Sequence, residues 1–305
     1  MRRKLIFGLV ILGVAAILLV VFLGSKKFIK PQTKTGEKLT NIITEQDFTG
    51  DGTLDLKADN GLMWIQINRD EGGGAGGFID VGGISGQENF LGSPIFSGGM
   101  ANQTDYWKLK SINVEITENT PQKGSYKVAR VDTAGGEEVT KEFTVTLEAS
   151  KEYAEIAYRY INTGSTTWTF DEHPGHMHDG AHLVSVESAE HTDIDGYING
   201  VGVIGLTSLW WLRVDTPDQK APFFTFFKPP SGDAVTFGFK PPWSYPIHQM
   251  VAYYTGATSE IYPKVEAMAT EFTLSPGAQL TWKALIAFHT GGYTKGAQIY
   301  QSATQ

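Results

Sequence analysis

The sequence contains no cysteine, which excludes disulfides and cysteine-based zinc sites. Acidic residues are absent from residues 1–30, whereas six of the 25 basic residues of the chain lie there. The remainder therefore holds 19 basic residues against 33 acidic ones. A surface of that sign repels a phosphate backbone, and the sequence has no basic stripe with interleaved aromatic residues. We therefore expect no nucleic-acid partner.

Charged residues are also absent from residues 5–24, "LIFGLVILGVAAILLVVFLG", a run of 20 residues. A helix rises about 1.5 Å per residue, so this run matches the hydrocarbon core of a bilayer, which is about 30 Å thick. The "SKK" that follows the run is a poor match to a signal-peptide cleavage site. We expect residues 1–30 to form an uncleaved membrane anchor, residues 31–40 a linker, and residues 41–305 one extracytoplasmic domain.

Helical periodicity is absent after the anchor, and alternation with a period of two takes its place. In "EVTKEFTVTLE", the residues Val139, Phe143, Val145 and Leu147 share one parity, while polar and charged residues fill the other. The segments "YAEIAYRYIN", "AVTFGFK" and "LTWKALIAF" repeat this pattern. Such alternation is typical of strands with one buried face. We therefore predict an all-β domain, built as a large antiparallel sandwich of two layers.

Two longer segments resemble the galactose mutarotase-like family, which includes the aldose 1-epimerases. Residues 143–178, "FTVTLEASKEYAEIAYRYINTGSTTWTFDEHPGHMH", are similar to its central section, where an "N-T-G" turn precedes a strand that leads to a histidine. Residues 264–288, "KVEAMATEFTLSPGAQLTWKALIAF", are similar to its late strand with a glutamate and to the hairpin that follows. The resemblance implies a large antiparallel β-supersandwich.

The resemblance also implies roles for two residues. Epimerases of that family use a histidine as general acid and a glutamate as general base to open and close a pyranose ring, which corresponds here to His173 and Glu266. An imidazole and a carboxylate titrate in the range that this proton exchange needs. The family's other histidine and its arginine are missing, because neither residue type occurs between Phe90 and Trp107. The chain is thus expected to bind or process carbohydrate, with epimerase activity left open.

The segment "DEHPGHMHDGAH", residues 171–182, holds four of the seven histidines. His176, His178 and His182 share one parity, and Asp179 lies among them. Imidazoles on one face of a strand beside a carboxylate suit zinc or another divalent cation. A Pro-Gly pair makes the start of this segment irregular, which favours a different interpretation. In that interpretation the segment is a loop that contacts sugar, and His176 and His178 line the groove.

Three aspartates near the start of the domain resemble part of a calcium loop. Asp47, Asp51 and Asp55 occupy loop positions one, five and nine, but the twelfth position is Ala58 instead of a glutamate. Asp51 and Gly52 also form a strong turn signal. The expectation is a hairpin turn, with a divalent metal as the alternative.

Aromatic residues cluster late in the sequence. The segment "FKPPWSYPIHQM" is expected to be an ordered loop because its prolines restrict the backbone. Flat rings next to polar groups suit stacking on a sugar. We therefore expect Trp243, Tyr245 and His248 to contact carbohydrate.

Three functions follow from these patterns. The first is a membrane-anchored, extracytoplasmic domain that binds or processes carbohydrate. The second is a non-catalytic structural or assembly protein of the cell envelope, with the sandwich as a scaffold. The third is a metal-dependent enzyme centred on the histidines of residues 173–182.

Overall fold

A computed structural model describes most of the chain after residue 39. The described residues are 40–48, 52–68, 78–83, 93–94, 108–134, 137–170, 181–187, 194–205, 211–215, 223–229, 232–241, 247–255, 262–269 and 272–305. Among these residues, no helix combines the length and the apolar character needed to cross a bilayer. The predicted anchor, residues 1–30, lies outside them.

The described residues form mostly β-structure in antiparallel sheets, as the alternation predicts. The first sheet has five strands in sequence order. These strands are β1 (Ile43–Gln46), β2 (Asp55–Asp59), β3 (Met63–Asn68), β4 (Phe78–Gly83) and β5 (Ser93–Pro94).

The largest sheet has nine strands, and it contains the three longest stretches of predicted alternation. Its strands are β6 (Lys108–Asn119), β7 (Lys123–Ala134), β8 (Glu137–Glu148), β9 (Ala154–Asn162), β12 (Asp195–Ile198), β13 (Gly202–Ile204), β15 (Phe223–Phe227), β16 (Asp233–Lys240) and β20 (Gln279–Thr290). Their order across the sheet is β13-β12-β15-β16-β20-β9-β8-β7-β6, so that β13 and β6 are its edges.

Two smaller sheets complete the described structure. The four-stranded sheet has the order β11-β18-β17-β14. Its strands are β11 (Ala181–Glu187), β14 (Trp211–Asp215), β17 (Ile247–Thr255) and β18 (Tyr262–Ala269). A two-stranded sheet pairs β10 (Trp168–Phe170) with β19 (Phe272–Leu274).

One hydrophobic core joins the five-stranded and nine-stranded sheets. In β8, the predicted inward residues are all buried, and the residues between them are mostly half-buried. One aromatic group of this core lies between β9 and β20. There the ring of Trp282 stacks on Tyr158 with centroids 4.9 Å apart and meets the edge of Tyr160 at 4.7 Å. Burial of such rings contributes a large share of the stability of a core.

The "INTGS" turn is held by the buried side chain of Asn162. Its Nδ2 donates to the carbonyl oxygens of Thr166 at 2.7 Å and Leu274 at 2.8 Å, and its Oδ1 accepts from the amide of Gly164. The backbone of Asn162 also bonds to Gly277 and Ala278. The two segments that carry the family resemblance are therefore tied together at this residue.

The hairpin expected within residues 264–288, with its turn at residues 275–277, differs from the observed pairing. The turn is present, but β19 before it pairs with β10, whereas β20 after it pairs with β9 and β16. Asn162 bonds to both sides of this turn, at the point where the two strands separate into different sheets.

A C-terminal helix, α1 (Gly292–Thr304), is the main departure from the predicted all-β domain. It packs on β15, β16 and β20. The lack of a side chain at Gly296 allows the helix to approach closely, because a Cβ there would lie 2.1 Å from Thr236 Oγ1. Tyr300 fills the space above Gly238 and donates a hydrogen bond to the carbonyl oxygen of Phe239 at 2.7 Å. The helix therefore covers a second face of β16 and β20, and these strands are buried on both sides.

Candidate functional site

The strand register of the four-stranded sheet places Glu266 in a central position. Glu266 in β18 is paired with Ser185 of β11 on one side and with Val251 of β17 on the other. Val251 is in turn paired with Arg213 of β14. Paired residues of neighbouring strands share one face of a sheet. A row of four residues, Ser185, Glu266, Val251 and Arg213, therefore crosses one face, which we name the Glu266 face.

The rows on either side bring more polar residues to the Glu266 face. One row contains His182, Met268, Gln249 and Asp215. The other contains Glu187, Lys264, Tyr253 and Trp211. Acidic, basic, hydroxyl, imidazole and aromatic residues therefore lie in three adjacent rows of one face.

The opposite face of the same sheet has a different composition. Its register positions are occupied by Val184, Val186, Leu212, Val214, Met250, Ala252, Val265 and Ala267. This separation is the pattern of an antiparallel sheet whose two faces differ in polarity. The Glu266 face is the candidate functional site.

Strand spacing sets the distances between the backbone positions of the Glu266 face. Neighbouring strands lie about 4.8 Å apart, so the Cα atoms of Glu266 and Arg213, two strands apart, are separated by about 10 Å. His182 lies one strand and one row away from Glu266. The register thus spreads His182, Glu266 and Arg213 over one face of four strands, about 14 Å from the strand of His182 to the strand of Arg213.

Arg213 was not predicted as a site residue, although a signal for it exists. In "WLRVD", the residues Trp211, Arg213 and Asp215 alternate with apolar neighbours. That alternation shows which residues share a face. It does not show that this face also carries Glu266, because the pairing of β14 with β17 joins residues about 40 positions apart in the sequence.

Most of the other residues predicted to act on or contact sugar lie outside the described residues. His248 lies in β17 at an irregularity of the register, between Ile247, which pairs with Ala269, and Gln249, which pairs with Met268. His173, His176, His178, Asp179, Trp243 and Tyr245 lie outside the described residues. The roles predicted for all of them stay predictions.

The predicted metal sites include undescribed residues. Within the described ranges, no group of three or more metal-ligating side chains comes together. Three of the four residues in the histidine-based alternative, His176, His178 and Asp179, fall outside those ranges. That alternative therefore stays a prediction.

The aspartates of the calcium-like segment hold a hairpin connection. Strands β1 and β2 on either side of it pair antiparallel, as the turn signal predicts. Asp47 Oδ2 accepts a hydrogen bond from the amide of Gly52 at 2.9 Å, and Asp55 Oδ2 accepts one from the amide of Phe48 at 3.2 Å. Asp51 lies outside the described residues. The two carboxylates that are described thus bind backbone amides of their own turn.

A buried polar cluster lies beneath α1. Thr236 Oγ1 is 2.7 Å from Thr225 Oγ1 and 2.8 Å from His289 Nε2. Burial and, to a lesser extent, the positive charge of Lys295 lower the pKa of His289 to about 4, although Glu152 partly opposes both. The imidazole is consequently neutral near pH 7. This cluster packs against Gly296 of the helix and serves the docking of α1.

No family model matches the chain. No curated protein sequence matches it.

Solved structures show the fold. A galactose mutarotase related enzyme from Lactobacillus acidophilus is 11% identical with a TM-score of 0.52, and the match covers 78% of this chain and 98% of that one. An α-galactosidase from Lactobacillus brevis is 10% identical with a TM-score of 0.55, covering 82% and 41%. A variant of the α-galactosidase AgaA from Geobacillus stearothermophilus, in complex with raffinose, is 11% identical with a TM-score of 0.53, covering 81% and 42%.

The chain therefore has a galactose mutarotase-like fold, as the sequence resemblance implies. It spans about two fifths of the length of the α-galactosidases that it matches.

Proposed function

We propose that the chain binds carbohydrate on the Glu266 face and that Glu266 is the central polar residue of the binding site. The observation that carries this proposal is the register that aligns Ser185, Glu266 and Arg213 in one row across the four strands of the sheet. A sugar offers many hydroxyl groups, and carboxylate and guanidinium groups are strong hydrogen-bond partners for them. The aromatic residues of the adjacent row, Tyr253 and Trp211, suit the apolar face of a pyranose.

The proposed chemistry is the exchange of two protons with the two oxygens bonded to the anomeric carbon. Glu266 as a carboxylate takes the proton of the anomeric hydroxyl, and the C1–O1 bond becomes a carbonyl. The bond from C1 to the ring oxygen breaks, and His173 as an imidazolium donates its proton to that oxygen. Rotation about C1–C2 and the reverse transfers close the ring as the other anomer. General acid and base groups of this kind each contribute about 10²-fold to 10⁴-fold to a rate.

Arg213 supports a carbohydrate site despite the missing residues near Trp107. Its place in the Glu266 row provides a cationic donor on the proposed binding face. A guanidinium can donate to two oxygens in one plane, which suits a pair of neighbouring hydroxyl groups. Arg213 is thus proposed to orient the sugar, while Glu266 exchanges the proton.

The proposed location of the domain is outside the cytoplasm. The support is the uncharged run of 20 residues at 5–24, followed by one large domain. Residues 1–30 would then anchor the chain in the membrane and present the two-layer supersandwich to extracellular or envelope carbohydrate.

A second candidate function is a non-catalytic sugar-binding or assembly module. The observation that favours it is that the matched α-galactosidases are more than twice as long as the matched region. The same fold therefore occurs as one part of larger glycosidases. The missing histidine and arginine near Trp107 also fit this candidate.

Glycan binding by the full chain in detergent tests the proposal. A glycan array followed by calorimetry should identify a bound sugar, and Glu266→Gln should weaken its binding at least about tenfold, the effect of about 1.4 kcal/mol. Glu148→Gln is the matched control, because Glu148 is an exposed glutamate at the end of a strand of the nine-stranded sheet. Equal binding by the Glu266→Gln variant and the wild type would contradict the proposal.

Anomer exchange of the bound sugar separates the two candidates. Exchange spectroscopy by NMR measures the interconversion of anomers directly. A catalyst should accelerate it, and both His173→Asn and Glu266→Gln should abolish the acceleration. Binding without any acceleration would assign the chain to the non-catalytic candidate.

A further inference from the structure

Helix α1 is held on the nine-stranded sheet by a small number of buried residues. Its buried residues are Gly296, Ile299 and Tyr300. The ring of Tyr300 stacks on Phe223 with centroids 4.6 Å apart, and its hydroxyl donates to the carbonyl oxygen of Phe239. An element with few buried apolar contacts opens at a lower free energy than the strands of a core. We therefore expect α1 to open before the sheet beneath it.

The imidazole of His289 lies directly under the backbone of the helix. His289 in β20 is 6% exposed. A Cβ at Gly296 would lie 3.3 Å from its Nε2, and the same Cβ would lie 2.1 Å from Thr236 Oγ1. The helix therefore separates this ring from solvent, and undocking of α1 would expose it.

The surroundings of His289 favour its neutral form. Its Nε2 bonds to Thr236 Oγ1, which in turn bonds to Thr225 Oγ1, and no described residue bonds to its Nδ1. Thr225 and Ala287, nearby residues of β15 and β20 on this face, carry no charge. A neutral imidazole has one N–H, whereas the charged ring donates from both nitrogens. The charged form would thus bury a charge and an unpaired donor, and both cost free energy.

The charged residues around His289 come from α1, β16 and the residues before β9. Lys295 of α1 disfavours a positive ring, and Glu152 opposes this effect. Glu152 is also the ion-pair partner of Lys295, at 2.6 Å. Asp233 begins β16 and pairs with Thr290, the residue after His289. The carboxylates do not offset burial, because the pKa of His289 is lowered to about 4 from an ordinary 6.5.

We propose that α1 is an acid-sensitive latch, which is docked over the neutral ring of His289 and undocks when that ring takes up a proton. Undocking brings both N–H groups of the ring into water and uncovers Phe223 and Leu285, which pack with Tyr300 in the docked state. The latch lies on a different sheet from the Glu266 face. It therefore stands independently of the proposed carbohydrate function.

The size of the effect follows from the two pKa values of His289. In the docked state the pKa is about 4, and in the undocked state the ring lies in water with an ordinary pKa of 6.5. The undocked state binds the proton more tightly, so acid favours it. Between pH 7 and pH 5, the equilibrium constant for undocking should rise about 20-fold.

Hydrogen exchange of the full chain in detergent, followed by mass spectrometry, tests the latch on the wild type. Between pH 7 and pH 5, the protection of amides in residues 292–304 should fall about 20-fold after correction for the intrinsic exchange rate. The amides of β8 in the same molecules should stay protected at pH 5. Constant protection of α1, or exchange of α1 and β8 together, would overturn the proposal.

Two substitutions assign the pH dependence to a residue. In His289→Gln, the protection of α1 should change less than about twofold between pH 7 and pH 5, because this position takes up no proton. In Glu152→Gln the ion pair with Lys295 is lost, but the change of about 20-fold should remain. A flat response of Glu152→Gln beside a full response of His289→Gln would assign the pH dependence to the ion pair and overturn the role of His289.

Thiol labelling measures undocking directly, since the chain has no cysteine of its own. Ala287 and Ala284 of β20 are both fully buried, but Ala287 pairs with Thr236 under α1, and Ala284 lies in the core between the sheets. Relative to the exposed control Gln298→Cys, labelling of Ala287→Cys by a dithiodipyridine should accelerate about 20-fold from pH 7 to pH 5. Ala284→Cys should stay unlabelled at both pH values. Equal labelling of Ala287→Cys at the two pH values, or equal labelling of both buried thiols, would overturn the latch.

Discussion

The nine-stranded and four-stranded sheets place their polar residues differently. In the nine-stranded sheet, β16 and β20 are buried on both faces, and their buried hydroxyl and imidazole groups bond to one another. In the four-stranded sheet, the register divides each strand into an apolar face and the polar Glu266 face. The difference shows that the first sheet pairs its buried polar groups internally, while the strand register of the second separates polar from apolar residues.

The largest expected loss of stability comes from the aromatic stack of the nine-stranded sheet. Trp282→Ala removes a buried ring that contacts both Tyr158 and Tyr160. Such truncations cost about 3–5 kcal/mol, and chemical denaturation measures the change. Lys283→Ala, at the exposed neighbouring position, should cost at most about 1 kcal/mol. Similar losses for the two variants would contradict the assigned role of the stack.

The second effect is a dependence of stability on pH from His289. Because its pKa in the folded chain is lowered to about 4 from an ordinary 6.5, the unfolded chain binds the proton more tightly. Stability from the neutral imidazole is complete above pH 6.5 and is lost as the pH falls towards 4. The loss across this window is up to about 3 kcal/mol.

Comparison of His289→Gln with the wild type isolates that effect. Denaturation at a series of pH values should give a shallower slope for the variant between pH 4 and 6.5. Other titrating groups contribute equally to both proteins. Parallel curves would show that His289 does not titrate differently in the folded chain.

The third prediction concerns the helix that covers the nine-stranded sheet. Gly296→Ala favours the helix by about 1 kcal/mol through propensity alone. Its Cβ, however, would lie 2.1 Å from Thr236 Oγ1 and 2.7 Å from Thr225 Oγ1. Overpacking of this kind costs about 1–3 kcal/mol, so the net change should be destabilising. Gln298→Ala, at an exposed position of the same helix, should be neutral or slightly stabilising in thermal unfolding.

Sequence patterns predicted the strands of the nine-stranded sheet better than the C-terminal helix. The alternation in β8, β9 and β20 identified their inward faces correctly, because one buried face leaves a local signal in the sequence. Helix α1 was missed because it begins at two glycines, has no side-chain cap and buries only Gly296, Ile299 and Tyr300. These three residues give a weak helical pattern.

The candidate site depends on information that local patterns do not contain. Glu266 was expected on a late strand, and it lies on β18. Its row on the Glu266 face is created by pairing with β11 and β17 and, through β17, with β14. Such pairings are set by packing between distant segments, so Arg213 could not be joined to Glu266 from the sequence.

The smallest expected change in stability is that of Glu266→Gln on the Glu266 face. This variant tests the difference between the two sheets most directly. Glu266→Gln keeps the size of the side chain and removes only its charge. Substitutions that leave the packing intact usually change stability by at most about 0.5 kcal/mol. Denaturation of this variant should therefore follow the wild type, although its sugar binding is expected to fall. A loss comparable with that of Trp282→Ala would mean that Glu266 supports the fold, and the distinction between the two sheets would then fail.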